Sequence, residues 1–110
     1  MTDRYIYFIK PINADGPIKV GSAYSPEDRL KRLQSKSDDT LELVGYVPGI
    51  FPDETYILQQ LFQHRSHGEW FFPTPEVTAA MQQVLAAGRV DRNIPLARFM
   101  RGIKEPARSS

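Results

Sequence analysis

The stretch IKVGSAYSPEDRLKRL, Ile18 to Leu33, constrains the fold more than any other part of the chain. Ile18 and Val20, with Lys19 between them, read as a short strand running into Gly21. A polar turn then leads to Ser25, a good helix N-cap. Pro26 fits the first helical position, and Glu27 and Asp28 complement the positive helix end. The helix is expected to run to about Ser35, with Leu30 and Leu33 centring its buried face.

The flanking residues supply partners for this unit. Tyr5 to Ile9 (YIYFI) is aromatic and β-branched, a strand ending at Pro11. Turn chemistry at 13–16 makes the first two strands a hairpin with a long loop. Leu41 to Val47 reads as a third strand, broken by Pro48 and Gly49. A second helix is expected from near Asp53 to about Arg65, with Ile57, Leu58, Leu61 and Phe62 as its apolar stripe. Gly68 ends that region by allowing a tight turn. Residues 69–72 form a short strand or extended segment, with Trp70 and Phe71 closing the core under the second helix. Thr74 caps a third helix, with Pro75 first inside and Gly88 just past its end. Val77, Met81, Val84 and Leu85 are its buried face. The order is ββαβα, then a short strand and one or two helices. This is an α+β fold with a small, mostly antiparallel sheet flanked by helices.

A chain of 110 residues is expected to form one domain, with enough buried surface for one modest core. It has no cysteine, which excludes disulfides and thiolate-bound zinc. The N-terminal residues lack the pattern of a signal peptide, and no stretch has the length of a membrane span. A soluble, cytoplasmic protein is expected. The net charge of +1 is unevenly spread. Residues 1–88 carry 8 Lys and Arg against 11 Asp and Glu, a net −3, while residues 89–110 carry 6 against 2, a net +4. Residues 1–88 are therefore assigned to the folded domain and 89–110 to a basic tail. In that tail Pro95 can open a short amphipathic helix bearing Leu96, Phe99, Met100 and Ile103, with disorder after Glu105. A basic tail suits an anionic partner; a solvated chain end is the plainer reading.

Four residues stand where ordinary packing does not require them. Arg29 lies about 70° from the centre of the first helix's apolar face, near enough to lay its stem on the core and hold its guanidinium at the rim. Glu54 falls three residues before Ile57 and four before Leu58, which puts a carboxylate on the apolar stripe in the first turn of the second helix. It can complement the helix dipole there, but burying its edge calls for a partner or a metal. Lys19 faces opposite to Ile18 and Val20, and Tyr7 stands between Ile6 and Phe8. Taken singly, a snorkelling arginine, a dipole-complementing glutamate and a packing tyrosine would explain them. Together they suit phosphodiester hydrolysis. One carboxylate can hold a Mg²⁺ ion that keeps most of its waters and meets phosphate oxygens. The arginine can neutralise charge growing on the phosphate, and a lysine or tyrosine can orient or deprotonate water.

YIY at 5–7, KVG at 19–21, Arg29 ten residues after Lys19, Glu54 and GEWF at 68–71 occur in the order seen in the GIY-YIG nuclease superfamily. Over roughly residues 4–73 the chain resembles that superfamily, and within it the phage-ORF-type branch with a terminal Gly-Glu-Trp-Phe. The resemblance implies a nuclease acting on nucleic acid, DNA more than RNA. It implies Tyr7, Lys19, Arg29 and Glu54 as catalytic residues, and Glu54 as the ligand of Mg²⁺ or Mn²⁺. Lys19 takes the place of the tyrosine of YIG, as is usual in this branch. The chain departs from the pattern twice. Leu58 stands where many members carry a histidine, four residues after the glutamate, and Tyr5 stands where glycine is common. If that histidine is a general base, a weak or inactive nucleic-acid-binding or regulatory module becomes the alternative. A protein-interaction domain using the tail is a third. His64, His67 and Glu69 offer a competing metal site, but their spacing matches no compact zinc pattern.

Overall fold

The computed structural model describes residues 3–12 and 15–93. Strand β1 (Tyr5–Pro11) pairs antiparallel with β2 (Ile18–Ala23), placing Tyr7 opposite Gly21. Helix α1 (Pro26–Gln34) starts where the Ser25 hydroxyl accepts a hydrogen bond from the Asp28 N–H at 3.3 Å. Strand β3 (Leu41–Pro48) pairs antiparallel with the other edge of β1, with a register shift between Phe8 and Ile9. Helix α2 (Phe51–Gln60), a 3-10 turn (Phe62–His64), β4 (Arg65–His67), β5 (Trp70–Phe71) and α3 (Pro75–Ala87) follow. The five strands lie in the order β3-β1-β2-β5-β4, and every neighbouring pair is antiparallel. The fold is α+β, with three helices around one antiparallel sheet. Among the described residues no helix is long and apolar enough to cross a membrane.

Strand alternation divides the apolar residues between two faces. Ile6, Phe8, Ile18, Val20 and Val47 point to one side and pack with Ile57 and Leu61 of α2, Phe71, and Val77, Ala80, Met81 and Val84 of α3. On the other side Tyr7, Ile9, Ala23 and Leu41 form a smaller core. Leu30 and Leu33 of α1 cover it and stay partly exposed, because one short helix cannot seal a sheet face. The sheet is thus a middle layer between α1 and the α2–α3 pair.

Three local expectations need correction. Helix α2 begins earlier than expected, because Pro52 sits in its first turn and the Asp53 carboxylate accepts the Ile50 N–H at 2.8 Å. It also ends at Gln60 instead of continuing to Arg65. Leu61 is buried, and residues 65–67 leave the helical path to pair with β5, with Gly68 turning the chain at φ +53°. Strand pairing there overrides the helical period. Of the two aromatic residues expected to close the core, only Phe71 does so, at 1% exposure. Trp70 points to the opposite face, half-buried, with its ring stacked on His67.

The start of the basic segment is part of the folded body. Val90 is buried in the larger core, and Arg92 pairs with Asp53 at 3.1 Å. The amphipathic turn expected at 95–103 and the disorder expected after Glu105 lie outside the described residues. Phe71→Ala should cost about 3–5 kcal/mol by urea denaturation, a large share of the roughly 5–15 kcal/mol that holds such a domain together. Trp70→Ala should cost clearly less. Equal losses would contradict the placement of the two rings on opposite faces.

Candidate active site

The smaller core carries the first half of the site. Tyr7 is wholly buried, and its ring lies across the backbone of Gly21 on the neighbouring strand. A β-carbon at position 21 would stand 2.6 Å from the tyrosine Cζ, so only glycine permits this contact. Arg29, reaching over from α1, donates from Nη1 to the Tyr7 hydroxyl at 3.3 Å, with its guanidinium carbon 6.0 Å from the ring centroid. Burial pushes the Tyr7 phenol above its ordinary value. The adjacent Arg29 charge and hydrogen bond oppose that shift, and the carboxylates of Glu69 and Glu54 add to it. The phenol is therefore neutral at physiological pH. Its oxygen is engaged as an acceptor, and its proton is left to donate.

Lys19 shares this face of β2, two residues before Gly21. Its ammonium bonds Glu69 Oε1 at 3.0 Å and lies 6.0 Å from the Trp70 ring centroid. Lys19 is well shielded while Glu69 is open to solvent, so the pair sits at the mouth of the site.

Glu54 approaches from the other face. It projects from the first turn of α2 and is only 7% exposed. Its Oε1 accepts from the Ser22 hydroxyl at 3.0 Å, and Ser22 Oγ in turn accepts from Arg4 Nε at 3.2 Å. No described hydrogen bond engages Oε2. Burial raises the Glu54 carboxyl above its ordinary value. The Ser22 hydrogen bond opposes this, the charge of Glu69 reinforces it, and Arg4 and Lys19 oppose it weakly. A half-satisfied carboxylate at the margin of the core costs the fold stability whenever it is ionised.

The two halves meet at the open edge of β2. Strand β5 pairs with Ile18 and Lys19, and the Val20 N–H still reaches Glu69 O at 3.1 Å. From Gly21 to Ala23 that edge has no described strand neighbour. Tyr7 and Arg29 flank it on one face and Glu54 on the other. Of the four residues singled out by sequence, Tyr7 and Arg29 are in direct contact. Lys19 is paired with Glu69, and Glu54 is tied to Ser22 and Arg4. No described hydrogen bond or ion pair joins Glu54 to the other three; its charge reaches Tyr7 and Lys19 through space.

Arg4 and Ser22 escaped the sequence reading, and Glu69, considered there only as a metal ligand, is instead the partner of Lys19. A signal existed for Ser22, a hydroxyl in register with Ile18 and Val20 on an otherwise apolar strand face. The competing histidine site is not assembled. His64 bonds Thr74 Oγ1 at 3.2 Å, His67 bonds Ser66 Oγ at 2.9 Å, and Glu69 is held by Lys19. Among the described residues no three His, Cys, Asp or Glu side chains gather as metal ligands. A lone carboxylate with one oxygen unengaged instead fits a hard cation that takes the rest of its shell from water and phosphate. Leu58, one turn after Glu54 on α2, packs against the larger core.

The raised Glu54 carboxyl has a definite sign. Its folded value lies above its unfolded value, so ionised Glu54 opposes folding at any pH above that folded value. The penalty lifts as pH falls through the folded value. Glu54→Gln should therefore melt above the wild type at about pH 7 in the absence of divalent cations. The gap should close as the wild-type carboxyl protonates towards the ordinary glutamate range near about pH 4. A variant that melts below wild type at neutral pH would show that the carboxylate is fully compensated.

No curated protein and no solved structure matches the chain. One domain family does, the T5orf172 domain, over residues 4–86. That span runs from the residue before β1 to the last turn of α3 and contains Tyr7, Lys19, Arg29 and Glu54. The chain belongs to the T5orf172 domain family.

Proposed function

We propose that this protein is a nuclease of the GIY-YIG type, hydrolysing a phosphodiester bond of nucleic acid, DNA in preference to RNA, with one Mg²⁺ or Mn²⁺ ion. One observation carries the reading. A buried phenol bonded to an arginine and a buried carboxylate with a spare oxygen flank the same open strand edge. An anion is the natural ligand of the first pair, and a divalent cation that of the second.

The chain's own groups divide the work. Only one of the five guanidinium donors of Arg29 is committed to Tyr7, so the others can meet phosphate oxygens and offset charge in the transition state. Tyr7 is neutral and its oxygen already accepts from Arg29. It therefore acts as a donor that orients the attacking water or a phosphate oxygen, not as a phenolate base. The Lys19 ammonium, steered by Glu69, adds positive charge on the Tyr7 face of β2. Glu54, steered by Ser22, would hold the metal through Oε2; the chemistry supplied there is polarisation of a phosphate oxygen and acidification of bound water.

One observation favours the second reading, a nucleic-acid-binding or regulatory module that cuts weakly or not at all. Leu58 removes a histidine that is common one turn after the glutamate, and neither His64 nor His67 is bonded to the site. Labelled duplex, branched DNA and RNA, each incubated with Mg²⁺ or Mn²⁺, separate the two. Nicking should fall by at least about 10²-fold in Glu54→Gln, the scale of losing one preorganised electrostatic contact, while binding survives. EDTA should abolish it. Binding without cutting on every substrate would establish the regulatory module. Cutting that persists in Glu54→Gln or in EDTA would remove Glu54 from the mechanism.

A further inference from the structure

Tyr24 belongs to neither core. It follows β2 directly, between Ala23 and the helix-capping Ser25, and is 57% exposed. A tyrosine in a polar turn with its ring in solvent does nothing for folding, yet this ring is not loose. The Arg4 guanidinium lies 4.9 Å from its centroid, a cation–π contact. Arg4 Nε is bonded to Ser22 Oγ, which is bonded to Glu54. The ring is thus held two hydrogen bonds from the carboxylate proposed to take the metal.

Tyr24 is also a ridge between two hollows. One, of about 240 Å³, is lined by Arg29 and Arg32 beside Ser25 and Asp28. The other, of about 400 Å³, is lined by Asp3, Arg4, Tyr5, Pro48, Gly49 and Ile50. The guanidiniums of Arg4, Arg29 and Arg32 line these two hollows, together with the carboxylates of Asp3 and Asp28. The first hollow suits a phosphate, and the second, walled by aromatic, proline and aliphatic groups, suits a flat heterocycle.

We infer that Tyr24 is a stacking site for an unpaired nucleobase, so that the strand bound here is single or locally opened. This rests on the nucleic-acid reading above and adds the substrate's state to it. Inside a duplex both faces of a base are covered by its neighbours, and an exposed ring can stack only on a base that has left the helix. Stacking on tyrosine tolerates any base, because every base has a π-face; the arginines hold the backbone alongside.

The test is binding, measured by fluorescence anisotropy in EDTA so that nothing is cut. The probes are a labelled single-stranded DNA and the same strand in a blunt duplex. The wild type should prefer the single strand. Tyr24→Ala should weaken single-strand binding about ten-fold, within the range found when a stacking aromatic is removed. Its duplex binding should change by less than about two-fold, and Tyr24→Phe should behave as wild type on both probes. The ring is exposed, so melting should be unchanged, and the melting curve checks that the variant is folded. If Tyr24→Ala weakens both probes equally, or neither, while Arg29→Ala weakens both, the stacking site is overturned and the nucleic-acid reading stands. If the wild type binds neither probe, both fall together.

Discussion

The Tyr7 ring lies on the Gly21 backbone, and the register of that contact organises the whole site. Strand side chains alternate, so pairing residue 7 with residue 21 sends Ile6, Phe8, Val20 and Ser22 to the α2–α3 face and Tyr7, Lys19 and Ala23 to the α1 face. A slip of one residue would exchange the two sets. It would bury Lys19 among aliphatic side chains and separate Ser22 from Glu54. The large apolar core selects the register, and the register then delivers the polar groups. Arg29 completes the set because Ser25 and Pro26 fix where α1 begins. A helix starting elsewhere would carry the guanidinium past the phenol.

The shortness of β5 matters as much. A longer strand would continue along β2 and close the edge at Gly21, Ser22 and Ala23. Glu69 is where this stops: its backbone carbonyl makes the last bond to β2, and its side chain turns back to Lys19. The open edge lets groups from both faces of the sheet serve one site. The fold bears a cost for it. An ionised, half-satisfied Glu54 beside Ile57 opposes folding, and an apolar side chain there would pack without penalty. Carboxylates kept against stability in this way cluster at functional sites.

What could be read from sequence was local. Ser25–Pro26 and Thr74–Pro75 with Gly88 mark helix ends by short-range chemistry, and α1 and α3 lie where these residues put them. The angle of Arg29 on its helix foretold a guanidinium at the rim of the α1 face, and helical periodicity foretold that Glu54 would be buried. What could not be read depended on distant pairing. The end of α2 has no glycine or proline of its own, because β4 is made by its partner β5. Two residues of β5 are too few to show an alternating pattern, so Trp70 and Phe71 could not be assigned to opposite faces. Arg4 became visible only once β2's open edge brought it to Ser22. Charge alone set the start of the basic tail, and charge does not register the burial of Val90.

Three of the four residues that the sequence singled out are proton donors: a neutral phenol, an ammonium and a guanidinium. Only Glu54 is an acceptor, and one of its oxygens is already used by Ser22. Such a set suits an anion, whether or not that anion is cut. Phosphate recognition by Tyr7, Lys19 and Arg29 would serve the proposed nuclease and the regulatory module alike, so those residues do not tell the two apart. Glu54 can, because a module that only binds phosphate gains nothing from a buried carboxylate that repels it. Leu58 does not undo this argument. It lies one turn further along α2, where the helix has already passed into the apolar core, and its side chain gains packing area against that core. The leucine leaves the proposed site without a base at that position, but the carboxylate that an anion-binding surface would be better without is present.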